Sequence, residues 1–310
     1  MIDAATGDHL WAEHYDRPLK DIFSLQDEIV GKIVTTLNLQ LGLWERYGLL
    51  VTKRTDSLEA YDYFLRGLEY TWSSFTKAEN AQARRMYEKA VNLDPNYSDA
   101  FASLGFTYFE DWGWGWSLDA HDLDRASELE QQAVGLDDSQ PLAHALLGAI
   151  YLYKRQHEQA LAEGHRAIAL DPNFAPAYLW MAEILTVTGK PAEAIVLAEK
   201  AMRLDPRNQD SYSYEICRAY VRLERYAEAV PMCKRYLAHY PAGLDSLAAH
   251  VSLAIAYAEL GRGADARAEG AEVLRISPNF AEALKKIIIA NTDRTLVERR
   301  LADLRKAGLK

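Results

Sequence analysis

The sequence predicts an all-α protein built from about six repeated helix pairs, and two observations carry this prediction. One turn recurs: the stretch "AIALDPNFAPAY" at 167–178 has three close relatives elsewhere in the chain. The prolines that mark these turns are also evenly spaced, because Pro172, Pro206, Pro241 and Pro278 follow one another at intervals of 34, 35 and 37 residues. Self-similarity at this period indicates a solenoid of stacked helices.

Each unit is predicted to contain two helices, as the segment 141–174 illustrates. Pro141 suits a first helical turn, where its missing N–H is no loss. Two helical runs then follow, separated by the polar turn "KRQHE", and the closing "LDPN" ends the second because proline cannot continue a helix. The apolar and small residues of the two runs recur at helical spacing: His144, Leu147, Gly148 and Tyr151 in the first, and Ala160, Gly164 and Ala167 in the second.

This pattern resembles the tetratricopeptide repeat (TPR), whose signature is W-x2-L-G-x2-Y…A-x3-F…P over 34 residues. The resemblance implies a right-handed superhelix with repeats from about 60 to 280. The residues that match the signature along the chain are Gly67, Tyr70, Ala83, Tyr87, Ala90 and Pro95; Leu104, Gly105, Tyr108, Ala126 and Ala133; Met181, Ala182, Leu185, Ala194, Ala201 and Pro206; Cys217, Tyr220, Ala229 and Pro241; and Leu253, Ala254, Tyr257, Ala266 and Pro278.

The two ends of the chain depart from the repeat, so we predict three parts. Residues 1–50 are expected to form a short strand and an amphipathic helix, which together are the tail of a truncated α/β domain. Residues 57–280 are expected to form the repeat array, and residues 281–310 a C-terminal capping helix.

The first of these parts carries a second resemblance. The segment Ile2–Ile33, "IDAATGDHLWAEHYDRPLKDIFSLQDEIVGKI", is similar to a junction in bacterial signalling proteins of the class III adenylate/guanylate cyclase type. In such proteins a cyclase domain, often a membrane segment, and a small α/β domain precede TPR repeats; the same arm also follows winged-helix DNA-binding domains. The segment Leu296–Lys310 resembles the way these proteins end. No cyclase catalytic segment is present, so the resemblance implies a non-catalytic arm.

Composition excludes several functions for this chain. A formal net charge of −10 without a long Lys/Arg run disfavours binding to nucleic acid or to an anionic membrane surface. No apolar run is long enough to insert into a membrane. No cofactor motif, metal-ligand spacing or catalytic motif is found, so we expect no cofactor, no metal and no enzyme activity. Cys217 and Cys233 are expected to be buried small side chains on the two helices of one repeat; the sequence leaves open whether they pair.

Binding is the remaining function, and the TPR resemblance implies that the first helix of each repeat lines a concave groove. An aromatic groove suits an extended peptide or an inserted helix, although the same aromatics are also suited to packing between repeats. Arg218 and Arg222 are expected to grip a carboxylate or, as the favoured alternative, to pair with Glu183 or Glu215. The residues at the groove positions are Tyr61, Phe64, Trp72, Phe106, Phe109, Tyr153, Leu179, Glu183, Tyr214, Arg218 and Arg222.

The stretched second repeat contains "EDWGWGWSLDAHD", in which Trp112, Trp114 and Trp116 alternate with glycine. The alternation argues against a regular helix. A recognition loop is one interpretation; the favoured one is that at least two of the tryptophans fold back onto the array, because exposed tryptophans promote aggregation.

The sequence therefore predicts a protein- or peptide-binding sensor arm of a bacterial signalling protein. A homodimerisation module for an upstream cyclase or DNA-binding domain is the alternative. Location in the bacterial cytoplasm or the periplasm depends on a segment before Met1.

Overall fold

The computed structural model describes residues 55–73, 76–117, 119, 121–206, 208–241, 244–278, 280 and 294–309. Thirteen helices lie in this part of the chain: α1 (Leu58–Ser73), α2 (Lys77–Leu93), α3 (Ser98–Trp114), α4 (Asp122–Leu136), α5 (Pro141–Tyr153), α6 (His157–Leu170), α7 (Ala175–Val187), α8 (Pro191–Leu204), α9 (Gln209–Arg222), α10 (Tyr226–His239), α11 (Leu244–Glu259), α12 (Gly263–Ile276) and α13 (Arg294–Lys306). The first twelve form six antiparallel pairs, so the all-α repeat prediction is confirmed. The strand and helix predicted in residues 1–50 lie outside the described residues.

The recurring "LDP" turn, which reads "LDD" at 136–138, has a local physical cause. At Asp94, Asp137 and Asp171 the aspartate backbone N–H still bonds to the helix, whereas its side chain accepts the N–H two residues further on, at 2.9 Å in each case. This arrangement satisfies backbone groups that a helix end would leave unpaired. The same sequence is therefore repeated because the chain must be reversed in the same way after each second helix.

The two helices of a pair pack closely around one pair of positions that are equivalent in the repeat register, which we call the contact positions. Gly148 shows how little space remains there, since a Cβ on this residue would lie 3.2 Å from the Ala160 carbonyl oxygen and 3.3 Å from the Gly164 nitrogen. From the first pair to the sixth, the contact positions hold Gly67 and Tyr87, Gly105 and Glu130, Gly148 and Gly164, Ala182 and Ala198, Cys217 and Cys233, and Ala254 and Gly270.

Glu130 is the exception among these residues because it is a carboxylate in the core. Its side chain is fully buried, and neither carboxylate oxygen has a hydrogen-bond partner among the described residues. Gly105 makes room for it, since a Cβ there would lie 2.8 Å from its Oε1. Burial raises the pKa of Glu130 well above its usual value, because the charged form loses its hydration.

The Trp-containing segment differs from the prediction. The helix α3 continues regularly through Trp112, Gly113 and Trp114 and ends only at Gly115, whose φ of 67° caps it in the left-handed conformation. The prediction that alternating glycines prevent a helix is wrong here, because the packing of Trp112 offsets the cost of one helical glycine. The stretched second repeat is therefore partly a helix extension.

The helix α13 packs against α11 and α12 as a cap. Gly270 is again the point of close approach, because a Cβ there would overlap the Ala307 carbonyl oxygen. Arg299 donates hydrogen bonds to Glu224 and, at 2.9 Å, to Glu259. Hydrogen bonds from Asp303 and Arg299 lower the pKa of Glu259 to about 2. The end of the array is thus closed by both packing and ion pairs. None of the helices in the described ranges is long and apolar enough to cross a membrane.

The contact positions generate a stability prediction. Substituting Gly148→Leu is expected to lower the free energy of unfolding by about 1–3 kcal/mol, because the added side chain meets backbone atoms of α6. The matched control is Gly135→Ala, at an exposed helical glycine with nothing within 4 Å of an added Cβ. It is expected to raise stability by about 0.5–1 kcal/mol. Urea unfolding followed by circular dichroism measures both, and equal effects of the two substitutions would contradict the packing account.

Glu130 generates a prediction about pH. A carboxyl group whose pKa is raised by folding stabilises the native state at low pH, and this contribution is lost as pH rises above the ordinary glutamate pKa toward the folded value. Glu130→Gln is therefore expected to be more stable than the wild type at pH 7.5, on the order of 1–3 kcal/mol. The difference should shrink toward pH 4.5. Urea unfolding of both proteins across this range tests the prediction; a difference independent of pH would refute it.

Candidate functional site

The curvature of the array places the first helices on its inner side. Consecutive first helices contact one another directly, α3 with α5, α5 with α7, α7 with α9 and α9 with α11. Second helices instead contact the first helix of the next pair. A stack whose first helices lie closer together than its second helices bends toward the first helices. We call the surface formed by α3, α5, α7 and α9 the concave face.

An aromatic cluster lies on this face and joins three successive repeats. Phe109 is its buried centre, and its ring centroid lies 6.1 Å from Trp112, 5.9 Å from Tyr153 and 6.0 Å from Trp180. Trp112 and Tyr153 also contact each other edge to face at 5.0 Å. Phe106 packs against the same core, and the four residues around Phe109 are half-buried. The cluster therefore both packs the repeats together and leaves aromatic surface on the concave face.

A carboxylate–arginine cluster, formed by Glu183, Glu215 and Arg218, continues the same face. The Tyr153 hydroxyl donates to Glu183 Oε1 at 2.6 Å. Arg218 Nη1 donates to Glu183 Oε1 at 3.0 Å and to Glu215 Oε1 at 3.1 Å. The Arg218 guanidinium also lies 5.7 Å from the Tyr214 ring centroid. The predicted pairing of Arg218 with Glu183 and Glu215 is thus confirmed, and the hydroxyl of Tyr153 links the two clusters.

This cluster contains more acidic groups than basic ones. Two nearly buried carboxylates pair with one arginine, whose side chain is 21% exposed. Burial raises the pKa of Glu215 to about 7; the Arg218 charge opposes the shift, and the Glu183 charge adds to it. Burial and the nearby Glu183 carboxylate raise the pKa of Tyr153 well above its usual value, so its hydroxyl stays a donor. The cluster therefore carries partial negative charge that grows as pH rises through 7.

The other residues predicted for the groove belong to neither of these two clusters. Tyr61 and Phe64 lie in the core of the first two repeats, and Phe64 is fully buried, 5.8 Å from the Tyr87 ring centroid and 5.0 Å from that of Tyr97. Trp72 belongs to α1, but its side chain lies outside the described residues.

Further along the concave face, Leu179, Tyr214 and Arg222 are half-buried. Tyr214 contacts Tyr236 of α10, with ring centroids 5.3 Å apart. The structure therefore joins Phe106, Phe109, Tyr153, Glu183, Tyr214 and Arg218 in one connected set of contacts, within which Phe109 and Glu183 are buried, and keeps Tyr61 and Phe64 in the core of the first two repeats.

The other two tryptophans of the second repeat are also packed. Trp114 and Trp116 stack on each other with ring centroids 6.2 Å apart, and the Trp114 indole N–H donates to the Glu110 carboxylate. Both are half-buried, as is Trp112. Trp112 packs against Tyr153 of the next repeat, whereas Trp114 and Trp116 pack on each other, so the interpretation that at least two tryptophans fold back onto the array stays a prediction.

Trp180 is the cluster residue that sequence reasoning missed. It follows Leu179, which the repeat register places in the groove, but it occupies a position that the register does not assign to that surface. The sequence did contain one signal for this residue, namely a tryptophan directly after a predicted groove position. Its side chain reaches Phe109 two repeats earlier because α3, α5 and α7 stack closely.

Comparison with known proteins agrees with this architecture. The tetratricopeptide repeat family model matches residues 145–209 and 214–279, which form the third to sixth helix pairs. Together with the six stacked helix pairs, this match shows that the fold is that of tetratricopeptide repeats. Proteins of this class are in general scaffolds for protein–protein interaction and not catalysts.

Solved structures support the same fold. A chain from the crystal structure of the APC/C hetero-tetramer Cut9–Hcn1 superposes with a TM-score of 0.62 at 16% identity, covering 87% of this chain and 54% of that one. PilW, a widely conserved type IV pilus biogenesis factor, superposes with a TM-score of 0.55 at 16% identity, covering 75% and 99% of the two chains. At these identities the similarity shows the fold alone.

One curated relative is similar in sequence as well. The Rhizobium meliloti protein named "Putative adenylate cyclase 3" is 35% identical over 161 residues, which cover 52% of this chain and 27% of that protein. The matches to the curated relatives span about a quarter of their length or less. This similarity supports the resemblance to the TPR arm of cyclase-type proteins.

The carboxylate–arginine cluster generates a stability prediction. Arg218→Gln leaves two buried carboxylates without their shared cation, and the free energy of unfolding is expected to fall by about 3 kcal/mol. The control is Arg225→Gln, which breaks an ion pair with Glu228 whose side chains are both about half exposed, so little change is expected. Urea unfolding at pH 7.5 measures both variants. If the free energy of unfolding falls no more for Arg218→Gln than for Arg225→Gln, the buried ion pairs of Arg218 do not stabilise the fold.

Proposed function

We propose that this chain is a non-catalytic interaction arm that binds a peptide or a partner surface on its concave face. The observation that carries the proposal is the continuity of half-buried aromatic and charged groups from α3 to α9. Aromatic residues and arginine dominate binding energy at protein interfaces. Trp112, Tyr153 and Trp180 keep accessible surface although they pack around Phe109, and this surface is available to a partner.

The partner is inferred to act in bacterial signalling. This part of the proposal rests on the 35% identity to the Rhizobium protein and on the junction-like segment Ile2–Ile33. In this view the array is the sensor or interaction arm of a longer protein whose catalytic domain lies outside this chain. The alternative is that the array brings two copies together, which would suit a cyclase because class III sites form at a dimer interface.

Site-specific photo-cross-linking in cells tests the binding face directly. A photoreactive phenylalanine analogue is placed at Phe106 or at Trp180, both on the concave face. The matched control position is Val196 in α8, which is apolar and 58% exposed but lies on a second helix. We expect one discrete cross-linked species from both concave positions and none from Val196. Equal cross-linking from all three positions would refute a defined binding face.

A second measurement separates binding from dimerisation. The Phe106→Glu variant is compared with the wild type by analytical ultracentrifugation and by the cross-linking yield at Trp180. A lost cross-link with unchanged mass supports partner binding, whereas loss of a dimer supports the assembly role. If neither quantity changes while circular dichroism shows an intact fold, both functions of the concave face are refuted.

A further inference from the structure

The fifth helix pair contains a covalent link that the other five lack. Cys217 in α9 and Cys233 in α10 are joined as a disulfide in the structure, with Cα atoms 5.3 Å apart and both side chains fully buried. This Cα separation lies within the range that disulfides require. The expectation that both cysteines are buried is therefore confirmed, and the pairing that the sequence left open is present.

The position of the two cysteines within the repeat explains why they meet. They occupy the contact positions, where the corresponding residues of the third pair are Gly148 and Gly164. The chain has only two cysteines in 310 residues, and both fall on the contact positions of one repeat. The helix packing of this repeat therefore places the two sulfur atoms next to each other.

Burial limits when the bond can form. Neither sulfur is accessible in the folded array, so an oxidant reaches the thiols only before α9 and α10 close on each other. The bond must then be made while the chain folds, in the compartment where it folds. Protein disulfides persist in oxidising compartments and are rare in the cytosol.

We propose that Cys217 and Cys233 form a structural disulfide during folding and that this array folds in an oxidising, extracytoplasmic compartment. The step is a thiol–disulfide exchange with a protein disulfide oxidant. The two cysteine thiols lose two electrons and two protons as their S–S bond forms, and the oxidant's S–S bond is reduced to two thiols. The bond fixes α9, which carries Tyr214 and Arg218 of the concave face, against α10.

Thiol trapping in the source organism tests the compartment. Cells producing the full-length protein are quenched with acid, denatured, and treated with a polyethylene-glycol maleimide that adds a visible mass to each free thiol. We expect the fragment containing residues 217 and 233, released by proteolysis, to be unmodified without prior reduction and doubly modified after it. Double modification without reduction would overturn the proposal, because the array would then fold in a reducing compartment.

Amide hydrogen exchange tests the structural role of the bond in the purified full chain. The wild type is reduced in denaturant and refolded with reductant present, because the buried disulfide is not accessible in the folded array. For a link spanning 16 residues, exchange in α9 and α10 is then expected to be faster by about 100-fold than in the disulfide-bonded protein, while α5 and α6 stay unchanged. The matched variant is Cys217→Ala with Cys233→Ala, which installs the alanine pair found at 182 and 198 in the fourth repeat. It should fold and be insensitive to reductant. A wild type that is equally insensitive would refute the structural role.

Discussion

The close approach of two helices at the contact positions is the constraint on which the rest of this structure depends. Where glycine or alanine stands there, as at Gly148, the backbones themselves come into contact, and the pair becomes a compact unit. Such a unit buries too little apolar surface alone, so it is stable only when stacked on its neighbours. The pairs stack so that the consecutive first helices α3, α5, α7, α9 and α11 contact one another on one side of the array.

The concave face follows from this packing and carries an aromatic cluster and a carboxylate–arginine cluster. Phe109 is the buried anchor that lets Trp112, Tyr153 and Trp180 lie around it with part of their surface accessible. Next to them, Arg218 donates hydrogen bonds to the carboxylates of both Glu183 and Glu215. A cluster of this kind contributes little net stability compared with an apolar core. Its position on the first helices is one of the observations on which the proposed partner binding rests.

Sequence reasoning predicted the helix pairs well because the turn, the period and the small residues are local signals. The pairing of Arg218 with Glu183 was also predictable, since the repeat register fixes which residues share the inner surface. Trp180 was missed because a register assigns positions and not the reach of a large side chain. The helical course of 112–114 was missed because tertiary packing of Trp112 outweighs the local preference of glycine. The core position of Phe64 depends on Tyr87 and Tyr97, which come from two different helix pairs.

The most direct test of this account is a residue-resolved hydrogen-exchange comparison of the wild type with the Gly148→Leu variant. If the contact positions organise the array, the disturbance should be local and pass only to adjacent pairs. We expect faster exchange in α5 and α6, a smaller increase in α3, α4, α7 and α8, and no change in α11 and α12. Equal acceleration along the whole array, or no acceleration in α5 and α6, would contradict the claim that this contact holds each repeat together.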